Sequence, residues 1–156
     1  MEPVILDCNV WIGIILGFEK RLDKRLFDDK YPVIVTSYGI AEIMRVLKRL
    51  SIVQGISFRE LETRAWKLFN LPNIQQEFST DVSESILFAV KQAPEYRVIA
   101  KLLSMEIKDV PYVVSAFQMK ARILTSDKRS FLSRTDAIKQ QLDIEVIGLQ
   151  EFLSEK

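Results

Sequence analysis

The chain has 156 residues, of which 48% are hydrophobic and 10% aromatic, and this composition predicts a folded domain with a substantial core rather than a disordered chain. The net charge of +1, from 22 basic and 21 acidic side chains, argues against a strongly electropositive nucleic-acid coat. It still allows an acid-rich centre ringed by basic residues. The absence of histidine excludes a Ser-His-Asp triad, a histidine acid or base and a histidine-containing zinc site.

The single cysteine, Cys8, excludes an intrachain disulfide framework and is typical of a reducing cytoplasm. No basic segment precedes the first apolar run, so no secretory signal is expected. The longest apolar run, 10–18, is far shorter than the roughly 18–20 residues that cross a bilayer. We therefore expect a cytoplasmic protein without a membrane segment. If it is an enzyme, its remaining chemistry is that of carboxylates with a hard divalent cation.

The first part of the chain predicts two strands, each followed by a helix. Val4–Leu6 is a short apolar run, as expected for a strand covered on both faces, and a largely apolar helix is predicted over Val10–Leu16. The charged segment "EKRLDKRLFDDK" after this helix indicates a solvated face. A second strand is predicted at "YPVIVTS", with Ser37 as the cap of an amphipathic helix.

The sequence pattern predicts helices in the middle of the chain. "SFRELETRAWKLF" predicts an amphipathic helix capped by Ser57, and the polar stretch "NIQQEFSTD" ends it. One or two helices are expected between Val82 and Leu103, with a break near Pro94. No further strand is predicted in this part.

The last part returns to alternating strands and helices. Asp109 precedes "VPYVVSAFQMKA", which is apolar nearly all round and predicts a buried helix. "RILTSD" is predicted as a third strand, "IEVIGL" as a fourth and "LQEFLSE" as a closing helix. This alternation predicts an α/β fold in which a parallel sheet is flanked by helices on both faces, as a single domain over 1–156.

Four acids fall where this fold would bring them together. Asp7 lies just past the first strand and Asp127 just past the third. Asp109, 18 residues earlier, opens the buried helix that leads back to the third strand, and Glu42 lies in the helix after the second strand. Ligands of open α/β sheets bind outside the carboxyl ends of the strands, so all four acids are compatible with one site.

Each acid also has a purely structural explanation. Asp7 and Asp109 could cap the helices that come after them, and Asp127 could be a turn residue. Glu42 could be an ordinary solvated helix residue. That all four are compatible with the same edge of the sheet favours a shared site.

As an ordered set, these motifs resemble those of PIN-domain nucleases, a family that includes the toxin ribonucleases of VapBC-type toxin–antitoxin pairs. The resemblance is carried by "VILDCNVWI", "TSYGIAEIMRVL" and "KDVPYVVSAFQMKARILTSDKRSF". The residues that match the motifs are, in chain order, Asp7 and Asn9, Glu42, Asp109 with the small Ala116 seven positions on, and Thr125 with Asp127.

The resemblance implies a metal-dependent endoribonuclease with a PIN-like fold. On this resemblance, Mg²⁺ or Mn²⁺ would be held by Asp7, Asp109 and Asp127, and Glu42 would bind a second ion or orient the attacking water. The neutral residues expected to support the site are Asn9, Thr125 and Ser126. Clustered carboxylates repel one another, so without metal we expect a loose site or raised carboxyl pKa values.

Basic residues near the acids are candidates for contact with a phosphate backbone. The candidates are Arg45, Lys48 and Arg49, which come after Glu42 in its helix, and Lys128 and Arg129, which come directly after Asp127.

The chain departs from the family pattern in two places. Pro111 and the bulky Tyr112 stand where small or aliphatic residues are usual after the third acid, and "KRSF" carries no further acid after Asp127. The segment 50–108 matches no part of the family with confidence.

Other phosphate chemistry fits less well. A haloacid-dehalogenase-like phosphatase needs an acid where Asn9 stands, a response-regulator receiver needs an acidic pair near the first strand, and no Gly-x-x-x-x-Gly-Lys loop is present. A cysteine-based phosphatase needs an arginine six residues after Cys8, where Ile14 stands, so Cys8 is interpreted as a small buried core residue.

A non-catalytic PIN-like module that binds RNA or a protein partner remains the alternative to the nuclease. The family resemblance also implies a homodimer and a small antitoxin protein as partners beside the RNA substrate.

Overall fold

The computed structural model describes residues 2–28, 30–77 and 85–155. Within these residues the centre of the molecule is a five-stranded sheet in the order β3-β2-β1-β4-β5, and every neighbouring pair of strands is parallel. The strands are β1 Val4–Leu6, β2 Val33–Thr36, β3 Ile74–Glu77, β4 Arg122–Thr125 and β5 Val146–Gly148. The predicted α/β class with a parallel sheet is confirmed.

Helices connect the strands. In chain order they are α1 Cys8–Ile15, α2 Lys20–Asp23, α3 Ser37–Gln54, α4 Phe58–Phe69, α5 Ser85–Gln92, α6 Pro94–Leu103, α7 Val110–Met119, α8 Thr135–Leu142 and α9 Leu149–Ser154. A π-helical turn at Lys24–Asp28 and 3₁₀ turns at Ile107–Asp109 and Leu132–Arg134 complete the connections. Of the helices in the described parts of the chain, none combines the length and the apolar character needed to cross a membrane.

Two hydrophobic cores lie on opposite faces of the sheet, because successive strand residues point to opposite faces. In β1, Val4 and Leu6 belong to the first core and Ile5 to the second. Helices α1, α4 and α9 close the first core, and α5 to α8 close the second. Helix α3 contributes to both. Helices therefore cover both faces, as predicted.

The prediction of a polar connection over "NIQQEFSTD" is wrong for residues 74–77, which form strand β3, while 78–81 lie outside the described residues. β3 is an edge strand that pairs only with β2. Its side chains are mostly exposed, and Ile74 is its only buried residue. Because an edge strand needs little apolar surface, its sequence lacks the hydrophobic run that signals a buried strand.

Other boundaries differ by small amounts. The cap of α3 is Thr36, whose hydroxyl accepts a hydrogen bond from Gly39 N at 3.0 Å, and Ser37 is the first helical residue. The break at Pro94 is confirmed, although 82–84 of that predicted stretch lie outside the described residues. The segment predicted as a solvated face forms α2 and the π-helical turn, and it buries Leu22 and Leu26 completely.

The strand order places the site. β1 lies between β2 and β4, so the chain first builds the sheet to one side of β1 and later to the other side. Leu6 and Leu124 are paired, which brings the residues after β1 and β4 side by side at the carboxyl edge. A crevice at such a switch point is where open α/β sheets bind ligands.

Candidate active site at the carboxyl edge of the sheet

A cavity of about 290 Å³ opens at this edge of the sheet. Four separate parts of the chain bring an acid to its wall: the end of β1, the first turns of α3, the start of α7 and the loop after β4. These acids are Asp7, Glu42, Asp109 and Asp127. We refer to them as the acid cluster. The four acids singled out in the sequence thus share one cavity.

Asp7 both caps a helix and lines the cavity. Its Oδ1 accepts a hydrogen bond from Val10 N at 3.1 Å, which caps α1. Its Oδ2 accepts a short hydrogen bond from the Thr125 hydroxyl. The structural explanation for Asp7 is therefore correct, and it is compatible with a role in the site because the cap fixes the carboxyl at the cavity wall.

Thr125 connects the ends of β1 and β4. This side chain is fully buried, and its Oγ1 also accepts a hydrogen bond from Asp127 N at 2.8 Å. Asp127 in turn accepts a hydrogen bond at Oδ1 from Ser130 N at 2.9 Å, as a turn residue does. It also lines the cavity. One hydroxyl thus holds two members of the acid cluster in a fixed relation.

Asp109 is held differently, by a side-chain hydrogen bond with Ser130 rather than by a helix cap. It occupies the cap position before α7, yet its side chain makes no capping hydrogen bond. The residue is 7% exposed, and its Oδ2 is buried without a hydrogen-bond partner. The interpretation of Asp109 as only a helix cap is therefore wrong. An unsatisfied buried carboxylate oxygen is costly unless a ligand completes its contacts.

Glu42 is half-buried and tied to α7. Its Oε1 accepts a hydrogen bond of 2.6 Å from the Tyr112 hydroxyl. Cys8, buried beside it, also lines the cavity, and burial raises the pKa of the Cys8 thiol. The burial of Cys8 agrees with its interpretation as a small core residue. The partial burial of Glu42 and its bond to Tyr112 show that Glu42 is not an ordinary solvated helix residue.

Burial dominates the electrostatics of the site. It raises the pKa of Asp7 from 3.8 to about 6, with hydrogen bonds to the carboxyl opposing the shift and the charges of neighbouring acids adding to it. Burial likewise raises the pKa of Glu42 and of Asp109. The expectation of raised carboxyl pKa values is confirmed for these three groups. The leading cause is desolvation rather than the mutual repulsion that the sequence suggested.

The other predicted site residues divide between the cavity wall and positions outside it. Asn9, Arg45 and Arg49 line the cavity. Ser126, Lys128 and Arg129 are exposed and are not among the described residues of its wall. Lys48 is also outside that wall, since its Nζ lies over the Phe58 ring, 5.8 Å from the centroid.

Sequence reasoning missed two cations and two tyrosines on the cavity wall: Lys91, Lys108, Tyr38 and Tyr112. Lys108 had a usable signal because it directly precedes Asp109. Lys91 had none, since it comes from α5, in the part of the chain without matched motifs. Tyr112 was singled out only as a bulky departure from the family pattern, and Tyr38 was not singled out at all.

The donor set fits a hard divalent cation. Carboxylate oxygens are the ligands that Mg²⁺ and Mn²⁺ prefer, and the unpartnered Oδ2 of Asp109 supplies one of them inside the cavity. Across the described residues, however, no three acidic or cysteine side chains are close enough together to form a ready-made metal cage. The acid cluster therefore shares a cavity, and its described side chains do not stand as a preformed three-acid group.

No family model matches the chain, and no curated protein matches it.

Proposed function

We propose that the protein is a Mg²⁺- or Mn²⁺-dependent endoribonuclease of the PIN-domain type, which hydrolyses RNA phosphodiester bonds. The observation that carries the proposal is the convergence of four carboxyls, from four distant parts of the chain, on one cavity at the carboxyl edge of the sheet. The buried Oδ2 of Asp109, which has no hydrogen-bond partner among the described residues, supports the proposal because a cation would complete its contacts.

Asp7, Asp109 and Asp127 would hold the cation, with Glu42 at a second ion or at the attacking water. When bound, such a cation neutralises charge on the phosphate and lowers the pKa of a coordinated water. The chain's own contribution is to fix the ligands. Thr125 holds Asp7 and Asp127 through its single hydroxyl, and Asp7 and Thr125 are themselves buried.

Four cations on the cavity wall provide a reason for a polyanionic substrate. They come from α3, α5 and the turn before α7, and they are Arg45, Arg49, Lys91 and Lys108. We refer to them as the basic rim. Phosphate contacts of this kind position a nucleic acid without reading its sequence.

A cleavage assay tests the proposal. Purified protein is incubated with a panel of RNAs and Mn²⁺, Mg²⁺ or EDTA, beside Asp7→Asn, Asp127→Asn and the control Asp136→Asn, which changes an exposed acid of α8. We expect cleavage with metal only, a loss of about 100-fold or more in the two site variants, and full activity in the control. Cleavage that survives both site substitutions would indicate another site or a contaminating nuclease.

A non-catalytic PIN-like module is the second candidate, and one observation favours it: the basic rim can hold RNA or an acidic protein without any cleavage. Such a module binds RNA or a protein through the basic rim without cleaving. In the same assay it would retain RNA in a gel shift with no product under any metal condition.

The family resemblance extends the proposal to partners and compartment. We propose a cytoplasmic, homodimeric toxin whose acid cavity is blocked by a small antitoxin protein. Light scattering of the purified chain tests the dimer. A short open reading frame directly upstream, whose product abolishes cleavage when added in equal amount, tests the antitoxin.

A further inference from the structure

We propose that Tyr112 is a positioning residue, which holds the Glu42 carboxylate in place for cation binding through a hydrogen bond between α7 and α3. The task assigned to Glu42 rests on the proposed function. The role of Tyr112 comes from contacts of this chain, at a position where it departs from the family pattern.

The central contact is short and joins distant segments. The Tyr112 hydroxyl donates to Glu42 Oε1 at 2.6 Å, across 70 residues of sequence. A hydrogen bond to an ionised carboxylate is shorter and about twice as strong as a neutral one. Only one carboxylate oxygen takes part in this bond, so the donor restrains the side chain without using up its capacity to bind a cation.

Tyr112 is itself rigidly held. It is 3% exposed, and its ring makes edge-to-face contacts with Tyr38 at 5.8 Å and with Phe131 at 6.4 Å between centroids. The Tyr38 hydroxyl donates to the carbonyl of Lys108 at 2.7 Å, which anchors the backbone directly before Asp109. This packing restricts the Tyr112 side chain to one rotamer, so the hydroxyl that binds Glu42 has a fixed position.

The arrangement also couples two members of the acid cluster. Tyr112 lies three residues after Asp109, at the start of the same helix. The segment that presents Asp109 to the cavity therefore also sets the position of Glu42, which comes from α3.

Tyr31 shows what a purely structural buried tyrosine does in this fold. Its hydroxyl donates to the carbonyl of Glu2 at 3.1 Å and accepts from Arg122 Nη2 at 2.7 Å, before the amino end of β2. Tyr112 instead satisfies its hydroxyl on an acid of the cavity wall. Tyr31→Phe is thus a matched control, since it removes one buried hydroxyl far from the cavity.

The experiment measures Mn²⁺ binding by calorimetry without RNA, and RNA cleavage, for wild type, Tyr112→Phe, Glu42→Gln, the double variant and Tyr31→Phe. We expect Tyr112→Phe to weaken Mn²⁺ binding roughly 10-fold, the scale of one hydrogen bond to a charged group. Its kcat should fall while its KM for RNA stays unchanged. The double variant should be no worse than Glu42→Gln, and Tyr31→Phe should bind Mn²⁺ like wild type.

Wild-type Mn²⁺ binding and kcat in Tyr112→Phe would overturn the inference, as would losses that simply add in the double variant. A wild-type chain that binds no Mn²⁺ would overturn it too. Mn²⁺ binding that depends on both residues, with no RNA cleaved, would leave the positioning role and refute the nuclease. If Tyr112→Phe does not fold, Glu42→Asp, which withdraws the carboxyl from the same hydroxyl, is expected to show the same loss.

Discussion

The two edges of the sheet differ in whether their buried charged groups form ion pairs. At the amino edge, Arg122 is 7% exposed and paired: its guanidinium donates to Glu155 at 2.9 and 3.0 Å and to the Tyr31 hydroxyl. At the carboxyl edge, none of the acid cluster forms an ion pair with any described residue. Stability accounts for the first arrangement, because a buried charge needs a partner. The second arrangement relies on hydrogen bonds alone, and it is compatible with the cation site proposed above.

The largest effect on stability should come from breaking the amino-edge network. We expect Arg122→Ala to lower the free energy of unfolding by about 3 kcal/mol, near the low end for loss of a buried ion-pair partner because Glu155 is partly exposed. Urea denaturation measures this loss. A change below about 1 kcal/mol would show that the pairing at this edge is not what stabilises it.

At the carboxyl edge, removing a charged group should raise the free energy of unfolding instead of lowering it. The folded-state pKa of Asp7, about 6, exceeds the ordinary value of 3.8, so the stability contributed by its protonated form is complete below about pH 4 and is lost as the pH rises through 6. The full difference corresponds to about 3 kcal/mol at most. Asparagine cannot ionise and still caps α1.

We therefore expect Asp7→Asn to be more stable than wild type by about 1–3 kcal/mol at pH 7.5 with EDTA, and nearly equal to it at pH 4. Urea denaturation at the two pH values measures both. A destabilised Asp7→Asn at pH 7.5 would show that the buried carboxylate is already compensated within the fold.

A bound cation should stabilise the folded protein, because it offsets the unfavourable burial of the carboxylates in the acid cluster. Mn²⁺ at ten times its dissociation constant is expected to stabilise wild type by about 1.4 kcal/mol, which corresponds to roughly 4 °C in melting temperature. Asp109→Asn should lose most of this shift, because the substitution removes the carboxylate whose Oδ2 has no partner in the described part of the fold. Equal shifts in wild type and variant would place the bound ion elsewhere.

The smallest effect should come from the basic rim. We expect Arg49→Ala to weaken binding of single-stranded RNA a few-fold and to reduce the slope of log affinity against log salt by about 0.7, the value for one phosphate contact. Lys48→Ala should change neither, since Lys48 lies over Phe58 rather than on the cavity wall. An equal loss in both variants would restore the sequence-based assignment of Lys48.

Much of the candidate site was predictable because an apolar run in the sequence shows where a buried strand ends. Val4–Leu6 and the run before Asp127 are apolar enough to identify as central strands, and parallel strands end at one edge. That is sufficient to bring Asp7 and Asp127 together. The edge strand Ile74–Glu77 could not be identified in the same way, because solvent covers most of its side chains and selects no apolar pattern.

The sequence by itself determined the α/β class and the order of the acids along the chain, since both depend on local hydrophobic runs and on residues placed at their ends. Only the tertiary structure decided which oxygen stays unpartnered, which cations share the cavity and which hydroxyl restrains Glu42. The physical reason is distance along the chain. The sequence shows Tyr112 only as a bulky residue at the start of a buried helix. A hydrogen bond across 70 residues leaves no local pattern to recognise.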